Sequence, residues 1–360
     1  MKVARNYKIG GTIVVPPDPE PSLTEIQTII KFASAPSAAT ASMSPQKYRK
    51  KSWLSLDWDD ATPGAITAME AMNNMFFTDG CGNNKRYTGA LALNGAYEGT
   101  GVEYTYEDGP INLAMLRTMR DLGWDFMDHG YYHDPVGFGA DMTPLESTQR
   151  MQAFFKRLLG YWMRSKAVPT NYTGHATAAR DLGYLFSSSQ GTFDGFTAEW
   201  EFAPPGDYTK LAFPFACPRR DGSDQLANDM GYLKGIIDKL TTGTNKFYRL
   251  ASHTNDPVPF QEFLDYIKLK GNDSLMVVTT REVLEYREMK ALPMTQSLVG
   301  NTLTIKTDLT ALDPKNRWKD MSFDIVSDKT IESVTTVGGE STSFNPTTGL
   351  VNVFKETKFW

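Results

Sequence analysis

The sequence predicts an α/β protein: an N-terminal arm over residues 1–44, a barrel-like domain of parallel strands and helices over 45–292, and a small all-β, sandwich-like module over 293–360. Three observations carry this expectation. A chain of 360 residues is too long for one small core, so about two domains are expected. From about Lys50, short apolar runs alternate with helical periodicity, the pattern of parallel strands joined by helices. At about Leu292 the period changes to two, as in half-buried antiparallel strands, and no helical stretch interrupts it.

The arm reads as linker. "VVPPDPEP" favours extended backbone, and "ASAPSAATASMSP" is rich in small residues. Between them, "SLTEIQTIIKFA" fits one short amphipathic helix. The arm is expected to attach the chain to a larger assembly.

In the barrel-like domain, "SWLSLDW" is the first strand and "GALALNG" the second. "PINLAMLRTMRDLGW" is a helix with Pro110 in its first turn and Gly123 at its end, and "DFMDHG" is the next strand with its exit loop. Thr143, Pro144 and Glu146 form a capping box that opens a long helix, with Leu145, Met151, Phe155, Leu158 and Trp162 on or near one face. "ATAARDLGYLFSSS", "QLANDMGYLKGIIDKL", "FYRLASH", "PFQEFLDYIKLKG" and "SLMVVTT" continue the alternation. "TTREVLEYREM" closes it behind a second capping box, Thr279 and Glu282. The strands of the last module are "NTLTIKTDL", "MSFDIVSD" and "ESVTTVGG".

Composition narrows the function. The hydrophobic share of 41% and charged share of 22% are those of an ordinary globular protein with a sizeable core. A net charge of -5 offers no basic field for a phosphate backbone, so nucleic acid is not an expected partner. No apolar run reaches the roughly 18 residues of a membrane span. The N-terminus has no apolar core of a secretory signal. A mature secreted protein, a cytoplasmic one and a component of an extracellular or viral assembly all fit. Cys81 and Cys217 fit one disulfide or two buried thiols. Seven Trp and 16 Tyr supply flat faces that suit sugars as well as core packing.

In parallel α/β folds every strand delivers its C-terminal residues to one face, so polar residues at strand ends are the ones to collect. "LDWDD" supplies Asp57, Asp59 and Asp60, "DFMDHGYYHD" supplies His129 and His133, and "ASHTND" supplies His253. Two of the chain's four histidines thus stand four residues apart beside acids. Two imidazoles and a carboxylate can hold one divalent ion with part of its shell open to water. A free carboxylate beside them can take a proton, and a further histidine can return one, the parts of metal-assisted hydrolysis of an amide or ester. Other readings stand beside this one. The histidines fit a polar loop with ordinary hydrogen bonds. Asp59 and Asp60 fit a turn or helix cap, and Asp57 fits the ligand position if the loop is shifted. His175 lies near a helix start and reads as structural or substrate-facing. Tyr131, Tyr132 and Trp200 fit either burial or sugar stacking.

These residues resemble the NodB-type polysaccharide deacetylases, a carbohydrate esterase family. "SLDWDDATPG" is similar to their Thr-Phe-Asp-Asp-Gly motif, "HGYYH" to their His-Ser/Thr-x-x-His motif and "LASH" to their closing Leu-x-His. "TPLESTQRM", "HATAARDLGYLF" and "SLMVVTTREVLEY" resemble the family's intervening elements, so the likeness runs over about residues 50–290. It implies a distorted (β/α) barrel that hydrolyses N-acetyl, or sometimes O-acetyl, groups of a glycan with one divalent metal ion, zinc being the expected one. Carried over by motif, it makes Asp59 the base, Asp60, His129 and His133 the metal ligands, and His253 the acid. The chain departs from the family at Ala61, which stands for a glycine, at Gly130, which stands for a hydroxyl residue, and at "AVPTNYTGH", which lacks the arginine that orients the base. Arg164 before that stretch, and Arg219 and Arg220 after it, are candidates to replace it. Asn171, Tyr172 and Tyr132 are candidates to contact glycan. The expected location is extracellular, the cell envelope or a virion. The alternative expectation is a glycan-binding or structural protein, such as a cell-surface or phage tail component, whose catalysis is weak or lost.

Overall fold

The computed structural model describes residues 23–97, 100–133, 142–188, 206–207, 215–216, 220–221, 230–253, 255–271 and 273–358. Two strands come first, β1 (Glu25–Phe32) and β2 (Ala39–Met43). The helix expected over "SLTEIQTIIKFA" is therefore a strand, and the expected arm is structured from Glu25 onward.

The barrel follows: β3 (Ser52–Trp58), α1 (Pro63–Met72), the hairpin β4 (Phe76–Thr78) and β5 (Asn84–Arg86), β6 (Ala90–Leu93), α2 (Leu113–Asp121), β7 (Asp125–Asp128), α3 (Pro144–Leu159), β8 (Ser165–Ala167), α4 (Thr173–Asp181) and β9 (Phe186–Ser188). Three two-residue strands come next, β10 (Gly206–Asp207), β11 (Phe215–Ala216) and β12 (Arg220–Asp221). Then come α5 (Met230–Thr242), β13 (Lys246–Ser252), α6 (Pro257–Gly271), β14 (Leu275–Val277) and α7 (Thr280–Lys290). Strands β3, β6, β7, β8, β9 and β11 lie side by side in chain order and run parallel. β13 returns to pair with β3 on its other edge, flanked by β12. A late strand against the first is how a barrel closes. Among the described residues no ladder joins β11 to β12.

All seven residues of β3 are buried, because one face meets the barrel interior and the other the helices. Trp53 stacks on Phe247 at 4.9 Å, and Trp58 packs against Trp124 at 5.4 Å. α2 starts at Asn112, whose side chain accepts from the Met115 amide, and not at Pro110 as expected. α3 has the expected capping box but ends at the left-handed Gly160. Its buried face is Met151, Phe154, Phe155 and Leu159, whereas Leu145 is exposed and Trp162 lies beyond the helix. At α7, Thr279 accepts from the Glu282 amide as expected, while the Glu282 carboxylate turns to Lys47 Nζ at 2.5 Å.

The last module contributes β15 (Met294–Val299), β16 (Thr302–Asp308), β17 (Met321–Ser327), β18 (Ile331–Val337), β19 (Ser341–Asn345) and β20 (Leu350–Phe354). It is completed from the N-terminal segment. β1 pairs antiparallel with both β16 and β18, and β2 pairs with β17, giving two four-stranded sheets. Ile26, Ile30 and Phe32 fill the space between them with Leu303, Ile305, Met321, Phe323, Val351 and Val353.

Buried charges fasten this sandwich to one end of the barrel. Arg281, bonded to Asp125 at 3.2 Å, donates to the Lys315 carbonyl at 3.0 Å, Glu285 accepts from the Arg317 amide at 2.9 Å, and Arg317 donates to the Trp124 and Arg120 carbonyls at 2.6 Å. Asp125 and Trp124 lie at the start of β7, so the sandwich sits at the N-terminal ends of the barrel strands. The opposite face is left for the candidate site. Among the described residues no helix is long and apolar enough to cross a membrane.

Candidate functional site

Three parallel exits build the site, those of β13 and β3, which are paired, and that of β7, one strand further on beyond β6. β3 ends at Trp58, β7 at Asp128 and β13 at Ser252, and the next residues are Asp59 and Asp60, His129, and His253. The exits are tied together: the Asp59 amide donates to the Ser252 carbonyl at 2.9 Å, and the Thr62 hydroxyl donates to the His253 carbonyl. After the buried Asp59, the chain turns through two left-handed residues, Asp60 (φ 65°) and Ala61 (φ 50°). Such backbone costs about 1 kcal/mol or more for a non-glycine residue and persists where the surroundings enforce it. In this turn the Asp60 carboxylate lies 3.3 Å from His129 Nε2, 3.7 Å from His133 Nε2 and 3.6 Å from His253 Nε2.

The His129 ring is held from behind. Its Nδ1 lies 3.0 Å from the Ala167 carbonyl, which only accepts, so Nδ1 carries the proton. In the neutral ring, Nε2 therefore turns a lone pair toward the acids. That buried Nε2 has no hydrogen-bond partner, since its lone pair has nothing to accept from an ionised carboxylate 3.3 Å away. Asp59 lies 4.0 Å from the same nitrogen. Burial disfavours a charged His129, yet the Asp59 charge and then Asp60 outweigh it and raise its pKa. Burial likewise opposes the Asp60 charge, but contact with His129 and the His129 and His133 charges hold its pKa below the usual carboxylate value. The site thus favours positive charge between these groups.

One ligand atom each from Asp60, His129 and His133 lie within 4.8 Å of one another. The donor set fits a divalent ion: two imidazoles, a carboxylate and an inward lone pair with no other partner. His133 and Asp60 are each about a third exposed, which leaves the outer side open.

The loop carrying the histidines has its own supports. Asp128 accepts from the Gly130 amide at 2.7 Å and from Lys166 Nζ at 2.8 Å, and Tyr184 bonds its other oxygen at 3.0 Å. The Asn94 side chain donates to the His129 carbonyl at 2.7 Å. Sequence reasoning missed Lys166 and Asn94. The one signal for them was a charge inside "SKA" and an amide at the end of "ALAL", in strands short enough to look wholly apolar.

Other expected residues fall elsewhere. Asp57 is no ligand: it is buried against Arg249 at 2.5 Å and Ser55 at 3.2 Å, inside the barrel. Arg164 does not orient the base. It is buried at the sandwich interface with Glu288, Glu285 and Asn316. Arg219 and Trp200 lie outside the described residues, as do the side chains of Arg220 and Asn171. Tyr172 is exposed at the exit of β8, and Tyr132 is half-buried and meets Tyr131 edge to face at 5.0 Å. His175 is buried in α4, its Nδ1 unpartnered, its pKa pushed down to about 2 by burial and then by the Lys166 charge. Cys81 is half-buried 3.6 Å from the Leu350 carbonyl, and Cys217 lies outside the described residues.

The fold neighbours are carbohydrate deacetylases and esterases. They include a candidate polysaccharide deacetylase from Mycobacterium smegmatis, 13% identical over 74% of this chain and 98% of that one, with a TM-score of 0.46. A family 4 acetyl xylan esterase from Clostridium thermocellum, in complex with a cobalt ion, is 15% identical over 64% and 89%, with a TM-score of 0.36. A CE4 family pseudoenzyme from Bacillus anthracis is 12% identical over 65% and 66%, with a TM-score of 0.38. No family model matches the chain, and no curated protein matches it. At such identities and scores the likeness carries no argument about the site, which stands on its own geometry.

Proposed function

We propose that this protein is a distant polysaccharide deacetylase, a metal-dependent hydrolase that removes acetyl groups from a glycan. The observation that supports it is the meeting of Asp60, His129 and His133 within 4.8 Å, with Asp59 and His253 beside them, at the C-terminal face of a parallel barrel. Asp60, His129 and His133 would hold the ion, and two imidazoles with one carboxylate suit zinc. When bound, such an ion supplies Lewis acidity toward an acyl oxygen.

The chain's own residues do the rest. Asp59 accepts a proton from the attacking water as the oxygen–carbon bond forms. His253, 40% exposed at its side chain, donates a proton to the leaving nitrogen or oxygen as the carbon–heteroatom bond breaks. The Ala167 carbonyl, accepting from Nδ1, fixes the His129 ring so that Nε2 would be free to bind the ion. Acetate and the free amine or hydroxyl are the products. A glycan substrate suits an extracellular, envelope or virion setting.

The test is acetate release from acetylated oligosaccharides. Release is expected to stop with chelator, return with zinc, and fall by three orders of magnitude or so in Asp59→Asn. Glycan and zinc binding without acetate release would replace this reading with that of a binding protein.

A further inference from the structure

We propose that Tyr97, backed by Tyr104, is a stacking platform for a sugar ring of a polymeric glycan that crosses the candidate site. The proposal rests on the reading above and adds a subsite.

The platform is joined to the loop that carries His129 and His133. β6 and β7 are paired through Leu93 and Asp128, so their exits are neighbours. The Gly95 and Ala96 amides both donate to the Tyr131 carbonyl, at 3.0 and 2.9 Å, inside the "HGYYH" stretch. A Cβ at Gly95 would lie 2.5 Å from the Tyr131 ring, so any larger residue there would have to displace that ring. Beyond this anchor the chain folds back on itself: the Tyr97 amide donates to Val102, the Tyr104 amide to Gly95, and Ala96 bridges to Glu103. Glu103 accepts from the Tyr131 hydroxyl at 2.8 Å and pairs with Arg157 at 2.5 Å.

On this braced turn, rings run in a row from core to solvent. Phe154 and Phe155 lie just over 6 Å from the buried Tyr106, Tyr106 is 5.5 Å from Tyr104, and Tyr104 is 3.9 Å from Tyr97. Tyr97, the last, is 51% exposed. Tyr106 and the phenylalanines already fill the core, so packing gives no reason for a further ring outside it. On the other side of β7, at the exit of β8, stands a second exposed tyrosine, Tyr172, at 48%. The sheet order β6, β7, β8 places the histidines between the two rings.

A flat, amphipathic ring at a polar rim suits the apolar face of a pyranose with its hydroxyls at the edge. A nucleobase would also stack. However, Glu107 and Asp108 on this segment and the net charge of -5 repel the phosphates that would come with it. A chain of uncharged or cationic sugars, one ring on Tyr97 and an acetylated one near Asp60, fits these features.

The experiment compares the parent with Tyr97→Ala and Tyr97→Trp on an acetylated hexasaccharide and disaccharide. The ratio of kcat/KM on the hexamer to that on the dimer is expected to fall roughly three- to tenfold in Tyr97→Ala and to hold in Tyr97→Trp. Hexamer binding, measured by calorimetry in the His129→Ala background, is expected to weaken by the same factor when Tyr97→Ala is added. This second arm decides the platform even if the parent releases no acetate. Unchanged ratio and binding would overturn the proposal, as would loss of self-association in Tyr97→Ala, which would make the ring a contact between copies of the chain.

Discussion

Lys166 and Asp128 form an ion pair of 2.8 Å in which neither side chain touches solvent, and it joins the two strands that hold the His129 ring. Asp128 precedes His129 in the chain, and Lys166 precedes Ala167, whose carbonyl takes the ring's Nδ1. Burial lowers the Lys166 pKa, and the Asp128 charge offsets this only in part. Removing the lysine would strand a buried carboxylate, a loss of about 3–5 kcal/mol. Lys166→Met is expected to unfold at lower denaturant, and Lys166→Met with Asp128→Asn to recover part of the loss. Zinc affinity, measured by competition with a chromophoric chelator, should fall in the single variant, since a loosened β8 no longer fixes Nδ1. Equal stability of Lys166→Met and parent would show that the pair is no clamp.

Gly130 tests the loop itself. It has φ 86°, and a Cβ there would lie 2.5 Å from the Tyr132 carbonyl oxygen, a backbone atom that cannot swing aside. Gly130→Ala should cost about 1–2 kcal/mol of strain. Because His129 and His133 flank this bend, the larger effect is expected in zinc affinity, with a drop of tenfold or more. A variant that binds zinc as the parent does would mean that the bend does not set the ligand spacing.

Metal binding can be read without any reaction. An ion that binds only the folded chain stabilises it by about 2.7 kcal/mol at a hundredfold excess over its dissociation constant. Zinc should therefore raise the midpoint of thermal unfolding, chelator should reverse the rise, and His133→Ala should abolish it. No shift with the parent protein would remove the metal from the proposed chemistry.

The candidate site was legible because its residues are polar groups at strand ends, where "LDWDD", "DHGYYH" and "LASH" follow apolar runs. The supports were hidden, since Lys166 and Asn94 act through space from strands of three and four residues. The sandwich was read only in part. In "EIQTIIKF", Ile26, Ile29 and Ile30 match helical spacing, while the true inward set, Ile26, Thr28, Ile30 and Phe32, has a polar residue in an apolar slot. Only pairing with β16 and β18, some 270 or more residues away in sequence, settles the choice.

Asp79 gives a pH dependence. It lies in the turn between β4 and β5 and reaches the sandwich through Ser343 Oγ at 2.7 Å, while Asn352 donates to its carbonyl at 2.8 Å. Burial alone would raise its pKa, but hydrogen bonds from Asn83, Ser343 and the Cys81 and Asn83 amides outweigh this and lower it. The folded chain then takes up this proton less readily than the unfolded one. The contribution is complete above the ordinary carboxylate pKa of about 4 and is lost as pH falls through the lower folded value. Asp79→Asn should flatten the fall in unfolding free energy below about pH 4. An identical acid slope in parent and variant would exclude Asp79 as its source.

The strand in the expected arm makes the sharpest difference between sequence and structure. A tether could be cut without loss, whereas β1 is an interior strand of its sheet and Ile30 is fully buried beside Leu303 and Ile305 in the sandwich core. A carboxylate at that position would have no partner and would have to be desolvated or the sheet opened, a penalty of several kcal/mol. Ile30→Asp should therefore lose amide-exchange protection in β16 and β18, the strands that β1 bridges. Val326→Asp, on an exposed position of β17, should not. Protection in β16 that survived Ile30→Asp would mean that the sheet holds together without its first strand.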